Sequence, residues 1–293
     1  MSTFHEAVLS DRFAISAELT VQRESTADDV RRQADQLSQY VDGIQVTDSP
    51  YAWVQMSALS ASGILVDHGI DPVPIINCRD RNRIALHSDL LGLQAMGVTS
   101  LILMRGPRVP PGHSTPASTV FDLTGLELIA LAASLGHEGS ADSARDFFIG
   151  TGARAFRAKR HWQAESLTAR AEAGARFVQT QLCFNMDMLR TYMERFAGAG
   201  LASRYSVIAS LSPFPSAATA RWIKQNMVDS RIPDKVIERL EEANDPEQEG
   251  IRICAELMQE VALIPGVSGV NLTTVGNTAA IPAAIRMSGL RKD

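Results

Sequence analysis

Eight short apolar runs recur along this sequence, each rich in β-branched or other apolar residues and each ending in a polar or small residue. The runs are 13–19, 42–48, 71–78, 100–106, 146–152, 177–183, 205–212 and 269–276. The first four begin 29 residues apart, a spacing that suits a strand, a loop, a helix and a return loop. Near-continuous apolar strands of this kind are typical of a parallel sheet that is covered on both faces.

Helical patterns lie between these runs. In 26–40, Thr26 is the predicted N-cap, and Val30, Ala34 and Leu37 share one face. Comparable patterns predict helices at 84–97, 122–135, 162–174, 186–199, 216–227 and 249–264. Strands that alternate with helices eight times in 293 residues predict an α/β fold, one (β/α)8 TIM barrel domain over residues 1–293. The longer connections predict extra helices after strands 4 and 7.

One segment also fits a different fold. GTGARA at 150–155 follows an apolar run and matches a loose dinucleotide-binding fingerprint, with Glu172 near the place of its acidic partner. However, the residues that follow, FRAKRHWQ, resemble a basic loop more than a packed helix, and this unit is the fifth rather than the first. A doubly wound nucleotide-binding sheet is therefore the competing interpretation.

Composition argues against several classes of function. The 28 basic and 33 acidic residues give a formal net charge of −5, which offers no electrostatic footprint for nucleic acid or an anionic membrane. No apolar run approaches the ~20 residues that span a bilayer, and the N-terminal residues lack a secretory pattern, so we expect a cytoplasmic protein. Three distant cysteines and six histidines without ligand spacing predict neither a disulfide framework nor a metal site.

In a TIM barrel, functional residues collect at the carboxyl ends of the strands. The polar or small residues at these ends are Glu18, Thr47, Asp48, Asn77, Arg105, Gly106, Arg154, Gln181, Ser210, Ser212, Thr273 and Thr274. Glu18 is the candidate general acid, because its apolar neighbours would desolvate the carboxyl group and raise its pKa. The alternative is a structural salt bridge to an arginine of a neighbouring strand.

Other polar residues suggest a ligand with phosphate groups. Arg105 would bind a phosphate or a carbonyl edge, or would close the ion pair with Glu18. The Gln181 amide suits the edge of a heterocycle, or is simply satisfied at the barrel mouth. A basic stretch together with Arg170 would hold a pyrophosphate, although a solvated charge run is equally compatible. That stretch comprises Arg154, Arg157, Lys159, Arg160 and His161. These residues predict a barrel enzyme and leave its reaction open.

Several segments, taken in order, resemble the methylenetetrahydrofolate reductase family. Glu18 stands in the first-strand F-E-F-F position, a V-T pair follows at 46–47, and Pro74 and Cys78 match the third-strand P-H-x-T-C pattern. The later matching segments are LILMRG at 101–106 with PPG at 110–112, EAGARFVQTQLCFN at 172–185 and RIPDKVIERLEE at 231–242. Their order and spacing over eight strands carry the resemblance, rather than any single motif.

The resemblance implies a FAD-dependent oxidoreductase of one-carbon metabolism. Such an enzyme interconverts 5,10-methylenetetrahydrofolate and 5-methyltetrahydrofolate by hydride transfer at flavin N5, with Glu18 as the acid. The residues implied to contact the tetrahydrofolate derivative are Gln181, Phe214 and Thr273. The residues implied to contact FAD are Thr47, Asn77, Met104, Arg105, Gly106, Arg154, Arg157, Lys159 and Arg170.

The chain also departs from the family pattern. The family's R-G-D is RGP at 105–107, so Pro107 replaces a carboxylate expected near the flavin, and the third-strand His is Ile75. The stacking aromatic after strand 7 aligns with Ala217, which leaves the nearby Phe214 as its substitute.

These departures bear on the electron partner of the flavin. Loss of a carboxylate beside the flavin would stabilise its reduced form, so we expect methyltetrahydrofolate oxidation to be favoured, with weak or no use of NADH. A non-catalytic folate- or flavin-binding barrel is the alternative function. A phosphate-binding lyase or aldolase barrel is a weaker candidate, because no strand end carries a lysine for a Schiff base. A homo-oligomer is compatible with the sequence.

Overall fold

Eight parallel strands form a closed barrel in chain order, and β8 pairs with β1. This architecture is seen in a computed structural model that describes residues 3–135, 146–156, 162, 164–274 and 277–291. The strands are β1 (Ala14–Glu18), β2 (Gly43–Val46), β3 (Pro72–Asn77), β4 (Ser100–Met104), β5 (Phe148–Ala153), β6 (Phe177–Leu182), β7 (Ser206–Leu211) and β8 (Val267–Leu272). The predicted (β/α)8 TIM barrel is confirmed. The doubly wound sheet is wrong, because such a sheet is open and has two edge strands.

Within the described ranges, eleven helices accompany the strands. They are α1 (Phe4–Leu9), α2 (Ala27–Leu37), α3 (Ala58–Asp67), α4 (Arg83–Ala95), α5 (Gly125–Ser134), α6 (Glu165–Glu172), α7 (Met186–Gly198), α8 (Ala217–Asn226), α9 (Asp234–Glu242), α10 (Pro246–Ala262) and α11 (Ala280–Ser288). Three of them, α8 to α10, follow β7. After β4 the described chain runs through a loop to α5, and residues 136–145, which also belong to this connection, lie outside the described residues.

Side-chain caps set where many of the helices begin. The predicted N-cap Thr26 accepts a hydrogen bond from the Asp29 amide (3.2 Å), and the Asp29 carboxylate accepts one from the Thr26 amide (2.9 Å). Further side-chain caps stand at Asn82, Thr124, Asn185, Ser216 and Asp245. Because each cap satisfies an amide that the helix leaves unpaired, the polar residue at the end of the loop fixes the first helical turn.

Aromatic side chains close the lower end of the barrel, where the strands begin. Phe4 of α1 lies edge-on to Phe177 with ring centroids 5.6 Å apart, and Phe148 stacks on Phe177 at 4.9 Å. Gly150 is required beside them, because a Cβ there would overlap the Phe177 ring. The GTGARA segment that resembles a nucleotide fingerprint therefore owes its first glycine to barrel packing.

A layer of polar side chains lies above this aromatic plug. Gln45 and Gln179 form a reciprocal amide pair, with Nε2 to Oε1 distances of 2.6 and 3.0 Å. Gln45 also donates to Ser16 Oγ (3.0 Å), and Ser16 donates to Asn271 Oδ1 (2.9 Å). This buried chain of hydrogen bonds forms the floor of the barrel mouth.

Candidate active site at the barrel mouth

Glu18 ends β1, and strand alternation directs its side chain into the barrel with Ser16. Burial raises the pKa of the Glu18 carboxyl group, and hydrogen bonds from Thr273 and Asn271 offset part of this effect. The Asn271 Nδ2 to Glu18 Oε1 distance is 3.1 Å. No cation contributes to the shift in pKa, so the described residues do not form the salt bridge that was the alternative interpretation. Glu18 therefore retains a proton to higher pH than an ordinary glutamate, as a general acid requires.

The polar floor fixes the direction of the Asn271 amide. Because Asn271 Oδ1 accepts from the Ser16 hydroxyl, its Nδ2 group is the side that faces Glu18. The Ser16 hydroxyl is in turn oriented by Gln45. The orientation of Glu18 thus depends on side chains from the middle of β1, β2 and β8, which inspection of the strand ends did not single out.

Among the described residues, few side chains lie against the wall of the mouth formed by β4 and β5. At the carboxyl end of β5, a Cβ added to Gly152 would meet only the Met104 Cε atom, at 3.9 Å. Two residues earlier, Gly150 is covered by the Phe177 ring. The wall formed by β4 and β5 is therefore filled below and open above, a shape that admits a flat ring system.

Asn77 connects the loops that follow β2, β3 and β4. Its Nδ2 group donates to the Asp48 carbonyl (2.9 Å) and carboxylate (2.8 Å), and its Oδ1 atom accepts from the Arg79 amide (2.8 Å). Gly106 adopts φ +78° and packs against this amide, where a Cβ would stand 3.1 Å from Asn77 Oδ1. Thr47 is tied to the same region, since its carbonyl accepts from Gln55 Nε2 (2.7 Å). These residues shape the mouth, and the Asn77 amide is already occupied by protein groups.

The predicted phosphate-binding cations occupy different surroundings. Arg105 is exposed and lies 4.0 Å above the ring of Phe121, while exposed Arg154 lies 3.4 Å from the Asp229 carboxylate. Arg170 instead donates to the Gly152 carbonyl (2.9 Å) and to the outward-facing Thr151 hydroxyl (3.4 Å), beside the outer surface of β5. The predicted contacts Arg157 and Lys159 lie outside the described residues.

Two of the three predicted folate contacts are committed to other groups. The Gln181 amide pairs with both backbone groups of Ala155 at 2.8 Å and donates to the Asp229 carbonyl at 3.0 Å. Phe214 is 1% exposed and its ring lies 4.6 Å from that of Phe184, so it offers no face to the mouth. Thr273 does lie at the mouth, close enough to Glu18 for its side chain to lower the pKa of that carboxyl group.

The loop after β3 contributes two arginines, Arg79 and Arg81, that were not among the predicted site residues. Arg79 is 1% exposed, pairs with the Asp80 carboxylate at 2.7 Å and donates to the Ser49 carbonyl at 2.8 Å. Arg81 pairs with the carboxylates of Asp48 and Asp89. The sequence signal was present in CRDRNR at 78–83, directly after β3, but neither its burial nor its partners were visible there.

The described residues also bear on metal sites, cysteine pairing and membrane spans. Those residues contain no group of three or more His, Cys, Asp or Glu side chains that could hold a metal ion. Cys78, Cys183 and Cys254 are buried with unpaired thiols. No described helix is long and apolar enough to cross a bilayer.

The fold and the site define a TIM barrel that carries a buried acid at its mouth. Residues 3–289 match the family model described as methylenetetrahydrofolate reductase, and the chain belongs to that family. The resemblance in the sequence is thereby confirmed over nearly the whole chain. No curated protein matches the sequence significantly.

Solved structures share the fold at low sequence identity. A protein from Clostridium thermocellum that binds two copies of 5-methyl-5,6,7,8-tetrahydrofolic acid is 13% identical, with a TM-score of 0.61. The match covers 97% of this chain and 97% of that one. A 2,3-dimethylmalate lyase of the PEP mutase/isocitrate lyase superfamily is 12% identical, with a TM-score of 0.51, and the match covers 99% of this chain and 86% of that one. At these identities the likeness concerns the barrel alone.

Proposed function

We propose that this protein is a FAD-dependent oxidoreductase that interconverts 5,10-methylenetetrahydrofolate and 5-methyltetrahydrofolate. Glu18 carries the proposal, since it is a mouth carboxyl group with a raised pKa, neutral hydrogen-bond partners and no cationic partner among the described residues. Membership of the methylenetetrahydrofolate reductase family supports the reaction class. The folate ligand of the Clostridium thermocellum protein supports the class of substrate.

The residues present fit a flavin. Because Gly152 has no Cβ, space remains beside Met104 in the wall of the mouth. Gly106 likewise adds no side chain to the neighbouring loop. Met104, Gly106 and Gly152 would lie against the planar ring, and the exposed guanidinium groups of Arg105 and Arg154 would hold its anionic parts. FAD, when bound, supplies two-electron chemistry that no side chain of this protein offers.

In this proposal, Glu18 donates the proton that assists opening of the methylene bridge and accepts one in the reverse direction. Asn271 and Thr273 hold the carboxyl group in place in both protonation states. Exposed Pro107 puts no charge where relatives have a carboxylate. We therefore expect the enzyme to favour oxidation of methyltetrahydrofolate and to use NADH weakly or not at all.

The test is the visible spectrum of the purified protein, followed by anaerobic addition of 5-methyltetrahydrofolate and, separately, of NADH. We expect bound flavin whose bands bleach with the folate and change little with NADH. Glu18→Gln should slow bleaching by about 10² or more, the usual contribution of a general acid, and should leave FAD bound. Glu24→Gln, which changes an exposed carboxylate in the next loop, is the matched control and should behave as wild type.

A second candidate is a folate- or flavin-binding barrel without catalysis. The engagement of Gln181 and Phe214 in internal contacts favours it over folate turnover, because two of the three positions expected to contact the folate already serve the protein itself. Flavin that binds but is bleached by neither compound would favour this candidate. A protein that cannot be reconstituted with FAD would refute the flavin-dependent proposal.

A further inference from the structure

Three consecutive carbonyl oxygens in the loop after β2 each accept a hydrogen bond from a side chain. The pairs are Gln55 Nε2 to Thr47 O (2.7 Å), Asn77 Nδ2 to Asp48 O (2.9 Å) and Arg79 Nη2 to Ser49 O (2.8 Å). The arginine is almost fully buried, and Asp80 pairs with its charge. A buried cation is thus used to fix one turn of backbone at the barrel mouth.

The backbone of this loop adopts a conformation that its own residues disfavour. Ser49, Tyr51 and Ala52 have φ values of 46°, 56° and 65°, in the left-handed region that residues with a Cβ rarely enter. Such a conformation persists only where the surrounding structure imposes it, and it is frequent at ligand-binding sites. Here the three anchored carbonyls lie at the start of the turn, directly before the left-handed residues Tyr51 and Ala52.

The consequence of this turn is that two aromatic rings are displayed at the mouth. Tyr51 and Trp53 have ring centroids 5.4 Å apart and remain 43% and 57% exposed. Glu18 is the register partner of Gln45 in β2, so the loop begins beside the end of β1 that carries the acid. Burial raises the pKa of the Tyr51 phenol, and the nearby Glu18 carboxylate raises it further, which is consistent with this placement.

The β7 side of the mouth does not present the aromatic face that was expected there. Phe214, the aromatic residue expected to stack on the ligand, is covered where α10 begins, because Gly250 of that helix packs directly on the Phe214 backbone. Tyr51 and Trp53 place an aromatic surface on the β2 side, next to the strand that carries Glu18, whereas the partly exposed Phe156 follows β5. Exposed aromatic rings attract planar heterocycles by dispersion and by burial of apolar area.

We propose that Tyr51 and Trp53 form the platform on which the pterin ring of the tetrahydrofolate substrate stacks, next to Glu18. This inference rests on the proposed function and assigns its substrate contact to two residues, Tyr51 and Trp53, that were not among the predicted site residues. The platform selects for a flat heterocycle. The buried Arg79 acts as a positioning residue for the loop that carries the two rings.

The experiment is calorimetric titration of the purified full-length protein with 5-methyltetrahydrofolate and, separately, with FAD. Tyr51→Ala should raise the Kd for the folate at least tenfold, and Trp53→Ala severalfold. Both should leave the Kd for FAD within about twofold. Tyr51→Phe keeps the ring and should bind folate as wild type does. Trp222→Ala removes a comparably exposed tryptophan from α8 and is the matched control. Thermal melting of each variant checks that the barrel is intact.

The outcomes separate this inference from the function on which it rests. Folate binding that is unchanged in folded Tyr51→Ala and Trp53→Ala overturns the platform and leaves the proposed function standing. An equal loss of folate and FAD affinity also overturns the pterin assignment. Wild-type protein that binds neither compound overturns the proposed function and the platform together. Selective loss of folate affinity supports the platform.

Discussion

The Glu18 carboxyl group carries an electrostatic cost at neutral pH. It is withdrawn from water, and its compensation comes from the neutral side chains of Asn271 and Thr273. Because its pKa is higher in the folded protein than in the unfolded chain, the folded state binds this proton more tightly. The resulting stability is fully present below the ordinary glutamate pKa and is lost as pH rises through the raised value.

Replacing Glu18 by Gln removes this dependence on pH. We expect Glu18→Gln to be more stable than wild type above the raised pKa, because the amide needs no charge solvation, and the advantage should fade in acid. Urea unfolding across a pH series measures the difference in free energy of unfolding. Glu24→Gln should show no such trend, and a Glu18→Gln difference that is constant with pH would contradict the prediction.

The raised pKa of Glu18 was predictable from the sequence, but its cause was not. The apolar neighbours Ile15 and Ala17 point away from Glu18 and pack in the layer between the barrel and the helices, because successive strand residues face opposite sides. Burial of the carboxyl group comes instead from the barrel interior. Gln181 and Phe214 illustrate the same limit, since the sequence predicted that they lie near strand ends but did not show which residues they contact.

At the scale of elements, α10 approaches the barrel unusually closely at Gly250. A Cβ at this position would overlap the carbonyl oxygen of Phe214, in the segment that follows β7. The contact joins the third of the helices inserted after β7 to the body of the barrel. A glycine that looks unfavourable within a helix is therefore required by packing.

We expect Gly250→Ala to destabilise the protein by about 2 kcal/mol, because overpacking outweighs the gain in helix propensity. Gly92→Ala in the interior of α4 is the matched control, since a Cβ there would lie 3.8 Å from Leu59, an ordinary contact. That change should stabilise the protein by about 1 kcal/mol. Chemical unfolding gives both values, and a stabilising Gly250→Ala would refute the packing argument.

The predicted elements differ from the observed ones in an instructive way. Helices with a clear apolar stripe, such as α2 and α7, were predicted within a few residues of their ends. Helices α1, α3, α9 and α11 lie outside the predicted ranges. Of these, α3 has a buried face built largely from Ala and Ser, which contrasts little with its exposed face. Contrast between faces, rather than helix formation itself, is what periodicity detects.

At the scale of the whole molecule, the barrel encloses a polar layer that forms only on closure. Gln45 and Gln179 are 134 residues apart and bond across the interior through both amide groups. Ser16 and Asn271 are 255 residues apart and join the first and last strands. Such a network is costly when it is only partly satisfied.

The amide pair should therefore respond as a unit. Gln45→Leu or Gln179→Leu alone should destabilise the protein by about 1–3 kcal/mol, because each leaves the other amide without its partner. The double variant should cost less than the sum of the two, by about 1–2 kcal/mol, in a cycle of unfolding free energies. Strict additivity would show that the pair does not act as a unit.

Local pattern alone determined the order of the eight strands, the more regular helices between them, the closed barrel and the family. These properties follow from periodicity, caps and motif order, because each of these signals depends on residues that lie close together in the sequence. Tertiary structure alone decided that Phe214 is buried, that Gln181 and Arg170 bind backbone, and that Tyr51 and Trp53 are displayed beside Glu18. The reason is geometric: a strand end shows which residue reaches the mouth, but its partners come from other strands and loops that barrel closure brings together.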